Sequence, residues 1–128
     1  MPTLTATLTL SYGDSVPVGQ NVPCRTTHTF TMEYTEKSIK TVAVPAATVA
    51  FPVALDTVGS PQFLLVRSLD VDVELGLTDG ADVVPTQLAA GAGWVMIACP
   101  NGQDINALQI TTPVSPAGGA RIEILAFE

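Results

Sequence analysis

Threonine alternates with an apolar residue along Thr3-Leu4-Thr5-Ala6-Thr7-Leu8-Thr9-Leu10, the period of two that a half-buried strand requires and a helix cannot use. The same alternation returns at Thr27-His28-Thr29-Phe30-Thr31-Met32-Glu33-Tyr34 and at Leu69-Asp70-Val71-Asp72-Val73-Glu74-Leu75, where the outward positions become carboxylates. The run Gln62-Phe63-Leu64-Leu65-Val66-Arg67 instead sets apolar residues in succession. Such a strand is expected at the centre of a sheet, covered on both faces.

The polar turn at Glu36-Lys37-Ser38 makes Ile39 to Val44 the expected hairpin partner of Arg25 to Tyr34, burying His28, Phe30, Met32 and Tyr34 on one face. Pro45 to Leu55 reads as apolar but irregular, and Asp56 to Pro61 as turn residues. Thr78-Asp79-Gly80-Ala81-Asp82 holds the Asp-Gly pair of tight hairpins, Val83-Val84-Pro85 begins a short edge piece, and Trp94 to Ala98 reads as a compact buried strand. Ile105 to Thr112 and Arg121 to Phe127 close the chain as strands, and a single helical turn is allowed near Thr86 to Ala89. About eight strands at this spacing predict an all-β fold, an antiparallel β-sandwich of single jelly-roll type with extended loops.

The chain has 128 residues and a mass of 13.3 kDa, which suits one sandwich domain over residues 1–128. Hydrophobic residues make up 47% and charged residues 13%, against a charged share of about 25% in ordinary soluble domains. A small body with so few charges leaves apolar surface uncovered, and that surface is expected to serve other protein subunits. The net charge is -7, and Arg25, Lys37, Lys40, Arg67 and Arg121 are the cations. They form no basic stripe, so neither direct nucleic-acid binding nor an acidic membrane surface is expected as a partner. The start Met1-Pro2-Thr3 has no positive or apolar leader character, and synthesis in the cytoplasm is expected unless a leader was removed.

His28 is the sole histidine. One imidazole cannot build a histidine metal site, and no Ser or Cys motif accompanies it, so a structural or interface role is expected. Ser11, Ser15, Ser38, Ser60, Ser68 and Ser115 fall in turns or at strand ends, outside any Gly-x-Ser-x-Gly elbow. Asp70, Asp72 and Glu74, two residues apart, would project from one sheet face; a solvated face is the expectation, and Ca²⁺ or acid–base chemistry the alternative. Asp79 and Asp82 bracket a turn that could take an ion with backbone carbonyls, although turn chemistry alone accounts for them. Cys24 and Cys99 form no CxxC unit, and a bridge between them stays open. Trp94 reads as core rather than a sugar platform, Tyr12 and Tyr34 are the tyrosines, and Gly91, Gly93, Gly118 and Gly119 match no nucleotide-binding loop. No catalytic, cofactor-binding or metal-ligating residue is assigned on these grounds.

The half from Phe63 to Glu128 resembles the small β-structured virion proteins of tailed phages, the capsid cement or decoration proteins. The likeness lies in an order of elements: Phe63-Leu64-Leu65-Val66-Arg67-Ser68-Leu69-Asp70, Val84-Pro85-Thr86-Gln87-Leu88, Gly93-Trp94-Val95-Met96-Ile97, and Ala120-Arg121-Ile122-Glu123-Ile124-Leu125-Ala126-Phe127. It implies a non-enzymatic structural protein of the virion, made in the host cytoplasm, that forms homo-oligomers (dimer or trimer) and bridges subunits of the major capsid protein. The arms Ser11 to Cys24 and Pro45 to Pro61 would reach neighbouring subunits. A carbohydrate- or receptor-binding module of a fibre or spike, with Trp94 or Tyr12 beside the Asp79 and Asp82 turn, is the alternative. An enzyme of cupin form stands third, because such sites bring several histidines to a metal.

Overall fold

The computed structural model describes residues 1–11, 25–78, 83–96, 105, 107–114 and 117–128. Through them run β1 (Thr3–Ser11), β2 (Arg25–Glu33), β3 (Lys37–Val44), β4 (Phe51–Ala54), β5 (Phe63–Ser68), β6 (Val73–Thr78), β7 (Val83–Leu88), β8 (Gly93–Met96), β9 (Ala107–Thr111) and β10 (Ala120–Phe127). They fall into two compact units, Met1–Glu33 and Tyr34–Glu128. The fold is all-β and every pairing is antiparallel.

The first unit is the hairpin of β1 and β2. The second is a β-sandwich of two four-stranded sheets, ordered β3-β10-β5-β8 and β4-β9-β6-β7. Alternation decides what each strand gives to the space between them. Leu64 and Val66 on β5, Ile122, Ile124 and Ala126 on β10, Val73, Leu75 and Leu77 on β6, and Leu108 and Ile110 on β9 join one apolar cluster. Fully burying a Leu or Ile side chain stabilises a fold by roughly 1.5–3 kcal/mol, so these inward rows dominate its cohesion. Trp94, Met96, Val42 and Phe51 pack against the rim of that cluster.

The edges carry their own devices. Pro52 on β4 and Pro85 on β7 lie on the two edge strands of the second sheet, where a missing N–H interrupts no interior ladder. On β3, an edge of the first sheet, Lys40 pairs across to Ile124 and so shares the inward face. Its Nζ donates to the Ala54 carbonyl and to Asp56 Oδ1 at 2.9 Å, while Ser38 Oγ donates to the other Asp56 oxygen. The pair lies between the two sheets' adjoining edges, and an inward charge on an edge strand discourages further strand pairing.

Several expectations are corrected. β2 pairs with β1, not with β3, because Leu4 and Ala6 face Met32 and Phe30 in matched register, whereas β3 matches β10, with Val42 opposite Ile122. Met32 is buried, Phe30 and Tyr34 are half-buried, and His28 is exposed. The irregular stretch from Pro45 to Leu55 contains β4, and the Thr86 to Ala89 helical turn is the end of strand β7 and a turn. β8 is an edge strand with half-buried Trp94 and exposed Val95 rather than a buried one. Leu69 to Val71 bends instead of running straight into β6. There the chain crosses between sheets, with Ser68 Oγ donating to the Val71 carbonyl and Leu69 N to the Arg121 carbonyl. The central position of β5 is as expected, between β10 and β8, but its outward face is half-buried at Leu65 and exposed at Arg67 instead of covered.

Gly119 enters β10 with φ +74°, and a Cβ there would stand 2.2 Å from the Val44 carbonyl oxygen. Gly91 has φ +78° with open space around it, and Gly118 has open space alone. Left-handed backbone costs an L-residue roughly 1–2 kcal/mol, so the three Ala substitutions form a graded series. Gly119→Ala is expected to destabilise by about 2 kcal/mol or more, Gly91→Ala by about 1 kcal/mol, and Gly118→Ala to leave stability nearly unchanged. Chemical denaturation checks the order, and equal losses at positions 118 and 119 would contradict this placement of the β10 entry.

Candidate functional site

The most unusual surface belongs to the hairpin. Register places Thr3, Thr5, Thr7 and Thr9 opposite Glu33, Thr31, Thr29 and Thr27 on one face, a ladder of hydroxyls with Thr7 Oγ1 and Thr29 Oγ1 3.4 Å apart. The other face sets Leu4, Ala6, Leu8 and Leu10 opposite Met32, Phe30, His28 and Thr26. No acid or Lys/Arg side chain interrupts that second face. Burial falls along it: Met32 is 9% exposed, while Leu8 and Leu10 are 40% and 52% exposed. A two-stranded sheet is marginally stable by itself in water, and apolar side chains left open at its far end are surface suited to docking. His28, opposite Leu8, belongs to this face.

The carboxylates seen in the sequence disperse. Asp70 lies in the crossover bend, where it accepts from Arg121 N at 3.0 Å and Arg121 Nε at 2.9 Å. Asp72 accepts from Ala90 N at 2.7 Å, and Glu74 accepts from Gln87 Nε2 at 2.7 Å. Exposure still alternates through Asp70, Asp72 and Glu74, but Asp70 sits in the bend at Leu69 to Val71 and not on a strand, so the three do not form the single sheet row expected of them. Among the described residues no three His, Cys, Asp or Glu side chains are grouped as metal ligands would be. Asp72 and Glu74 line an open groove of about 310 Å³ with Gln87, Thr111 and Thr112, and no aromatic ring lines it.

Ser38 and Ser68 are buried and hydrogen-bonded within the fold. Trp94 is half-buried against the core, in keeping with its reading as core, and Tyr34 stacks edge-on to Phe127 with ring centroids 5.0 Å apart. The Pro45 to Pro61 arm is stitched down: Thr48 N donates to Thr112 Oγ1, Ala47 N to the Pro113 carbonyl, and Gly59 N and Ser60 N to Glu128 Oε2. Val49 nevertheless stands 80% exposed at its tip, as does Val114 in the neighbouring loop. Ala47, Ala50 and Asp56 hold positive φ there, a signal that sequence pattern does not display. The Tyr12, Cys24 and Cys99 readings, the Asp79 and Asp82 turn, and the arm from Ser11 to Cys24 lie outside the described residues, apart from the backbone of Ser11 at the end of β1.

No family model matches the chain, and no curated protein matches it. Among solved structures it is similar to two of hydroxypropylphosphonic acid epoxidase from S. wedmorenis, one of them in complex with fosfomycin. The TM-scores are 0.45 and 0.44, the identities 13% and 15%, over 71% and 70% of this chain. The chain spans 42% and 44% of the length of those structures. They are structures of an enzyme, where a non-enzymatic chain was expected. At that TM-score the likeness brings over no reaction, substrate or residue role.

Two carboxyls are held below their usual range: Asp56 by hydrogen bonds from Ser38 and then Lys40, and Asp70 by the Arg121 side chain and then its backbone N–H. Each stabilises the fold above the unfolded carboxyl value near 3.9, and that contribution is lost as pH falls through the lower folded value, since the unfolded chain binds the protons first. The pair Asp56→Asn and Asp70→Asn is therefore expected to flatten the decline in urea midpoint between about pH 5 and pH 3. A variant that declines as steeply as the native chain would contradict these assignments.

Proposed function

We propose that the chain is a capsid cement or decoration protein of a tailed-phage virion, bridging and stabilising coat subunits, with the eight strands of Tyr34–Glu128 forming a jelly roll. The single observation that carries the reading is the largely apolar face of the β1–β2 hairpin, which holds no acid, Lys or Arg side chain and is open at Leu8 and Leu10. Strand order supports the jelly-roll part: β3, β5, β8 and β10 share one sheet and β4, β6, β7 and β9 the other, so every connection but β6 to β7 crosses between sheets.

The mechanism is burial. Each hairpin strand has nine residues, which at about 3.3 Å per residue and about 5 Å per strand gives a face of roughly 30 by 10 Å. Only the end of that face at Leu8 and Leu10 is open, and covering about half of it, roughly 150 Å², would favour attachment by about 4 kcal/mol before association and ordering costs. Repetition over a symmetric shell multiplies modest contacts through avidity. The partners are the major capsid protein and further copies of the chain, and the place of work is the virion. Five cations against twelve acids favour protein surfaces over phosphate backbones as the target.

In particles purified from the producing cells the chain is expected at a fixed ratio to the coat subunit. Leu8→Ser combined with Leu10→Ser is expected to lower that ratio roughly tenfold or more, with the unfolding midpoint of the sandwich unchanged. Particles that lack the native chain would overturn the proposal.

A further inference from the structure

The outward face of the β3-β10-β5-β8 sheet carries an apolar row that crosses all four strands. Register aligns Ile39 with Leu125, Leu125 with Leu65, and Leu65 with Val95. Ile39 is 59% and Val95 42% exposed, and none of the four belongs to the core cluster or packs against it. The adjoining row is Thr41, Glu123, Arg67 and Gly93. Its two charges are opposite in sign and sit on neighbouring strands, and neither enters an ion pair among the described residues.

These two rows share a symmetry. β10 and β5 are the middle strands, and β3 and β8 the outer ones. Consider a two-fold axis lying in the plane of contact, parallel to the strands and midway between β10 and β5. It brings Leu125 of one copy over Leu65 of a second, and Ile39 over Val95. It also sets Glu123 against Arg67 of the second copy, twice, and Thr41 against Gly93, which has no side chain to meet it. Apolar groups meet apolar groups and each charge meets its opposite.

We propose that this face is a self-complementary interface for a second copy of the chain, packed sheet on sheet about the axis through the β10–β5 pair. An isologous contact requires a patch complementary to itself, and a row arranged as apolar-apolar-apolar-apolar beside polar-acid-base-glycine meets that condition where a random surface does not. A partner of different sequence would need no such reciprocity. The footprint, about four strands at 4.8 Å by five or six residues at 3.3 Å, is roughly 300–400 Å² per copy. That lies below the ~800 Å² per partner of a standard interface, so the contact is a weak one that dense packing of copies would populate. It stands independently of the virion reading.

The test uses the full chain and its charge variants in sedimentation experiments from about 10 µM to about 1 mM, the range in which an interface this small associates. The native chain is expected to show a monomer–dimer equilibrium. Arg67→Glu alone places two acids against two acids, and Glu123→Arg alone places two bases against two bases. Each is expected to weaken association by roughly tenfold or more. An equimolar mixture of the two variants is expected to dimerise at least as well as the native chain, because every facing pair is then opposite in sign. Both positions point outward from the sheet, and an unchanged unfolding midpoint shows that the variants fold. A native chain monomeric at about 1 mM, as when a different protein or segment covers the face, would overturn the proposal. So would a dimer indifferent to the single substitutions, or a mixture that fails to re-associate.

Discussion

A sheet has two faces, and packing two sheets together buries only one face of each. In this chain the inner faces take Leu64, Val66, Leu75, Leu108, Ile110, Ile122 and Ile124 out of water almost completely. Charged residues are only 13% of the sequence, too few to furnish every outward position. The consequence is apolar surface outside the core: Ile39, Leu65, Leu125 and Val95 on one sheet, Leu8 and Leu10 on the hairpin, Val49 and Val114 on loops. The strand patches follow from alternation meeting a sequence poor in charge.

How such a surface avoids uncontrolled pairing is a matter of edges. β3 turns Lys40 inward to meet Asp56, while β4 and β7 carry Pro52 and Pro85. All three devices discourage the addition of another strand by backbone hydrogen bonds. The edge-to-edge route to aggregates is thereby disfavoured. The Lys40–Asp56 pair also joins the two sheets where their edges meet. Its value lies in this placement more than in its Coulomb energy, since partly exposed ion pairs contribute little to stability.

The inward rows were legible in the sequence because alternation and burial follow one rule. The consecutive apolar residues of Phe63 to Val66 announced an interior strand, and β1 and β2 announced themselves through threonine. Pairing was less legible. A short turn at Glu36 to Ser38 made β2 and β3 look like partners, but partner choice follows matched apolar rows across long sequence distances, and β1 supplied the better match. Asp70 and Asp72 continued the alternation of β6 into a segment that is a bend, since period alone does not separate a strand from a crossover whose side chains also alternate. β4 was hidden by Pro52, which an edge strand tolerates. The candidate surfaces needed register above all: Glu123 and Arg67 are 56 positions apart in sequence and become neighbours only through the pairing of β10 with β5.

Hydroxyl-radical footprinting of Leu8, Leu10, Ile39 and Val95, in the dilute chain and in its assembled form as recovered from the producing cells, reads whether the apolar positions outside the core are covered in the working state. Ready labelling is expected in the dilute chain and protection in the assembly, with Leu64 and Ile124 protected in both. Equal labelling of Leu8, Leu10, Ile39 and Val95 in both states would contradict that coverage.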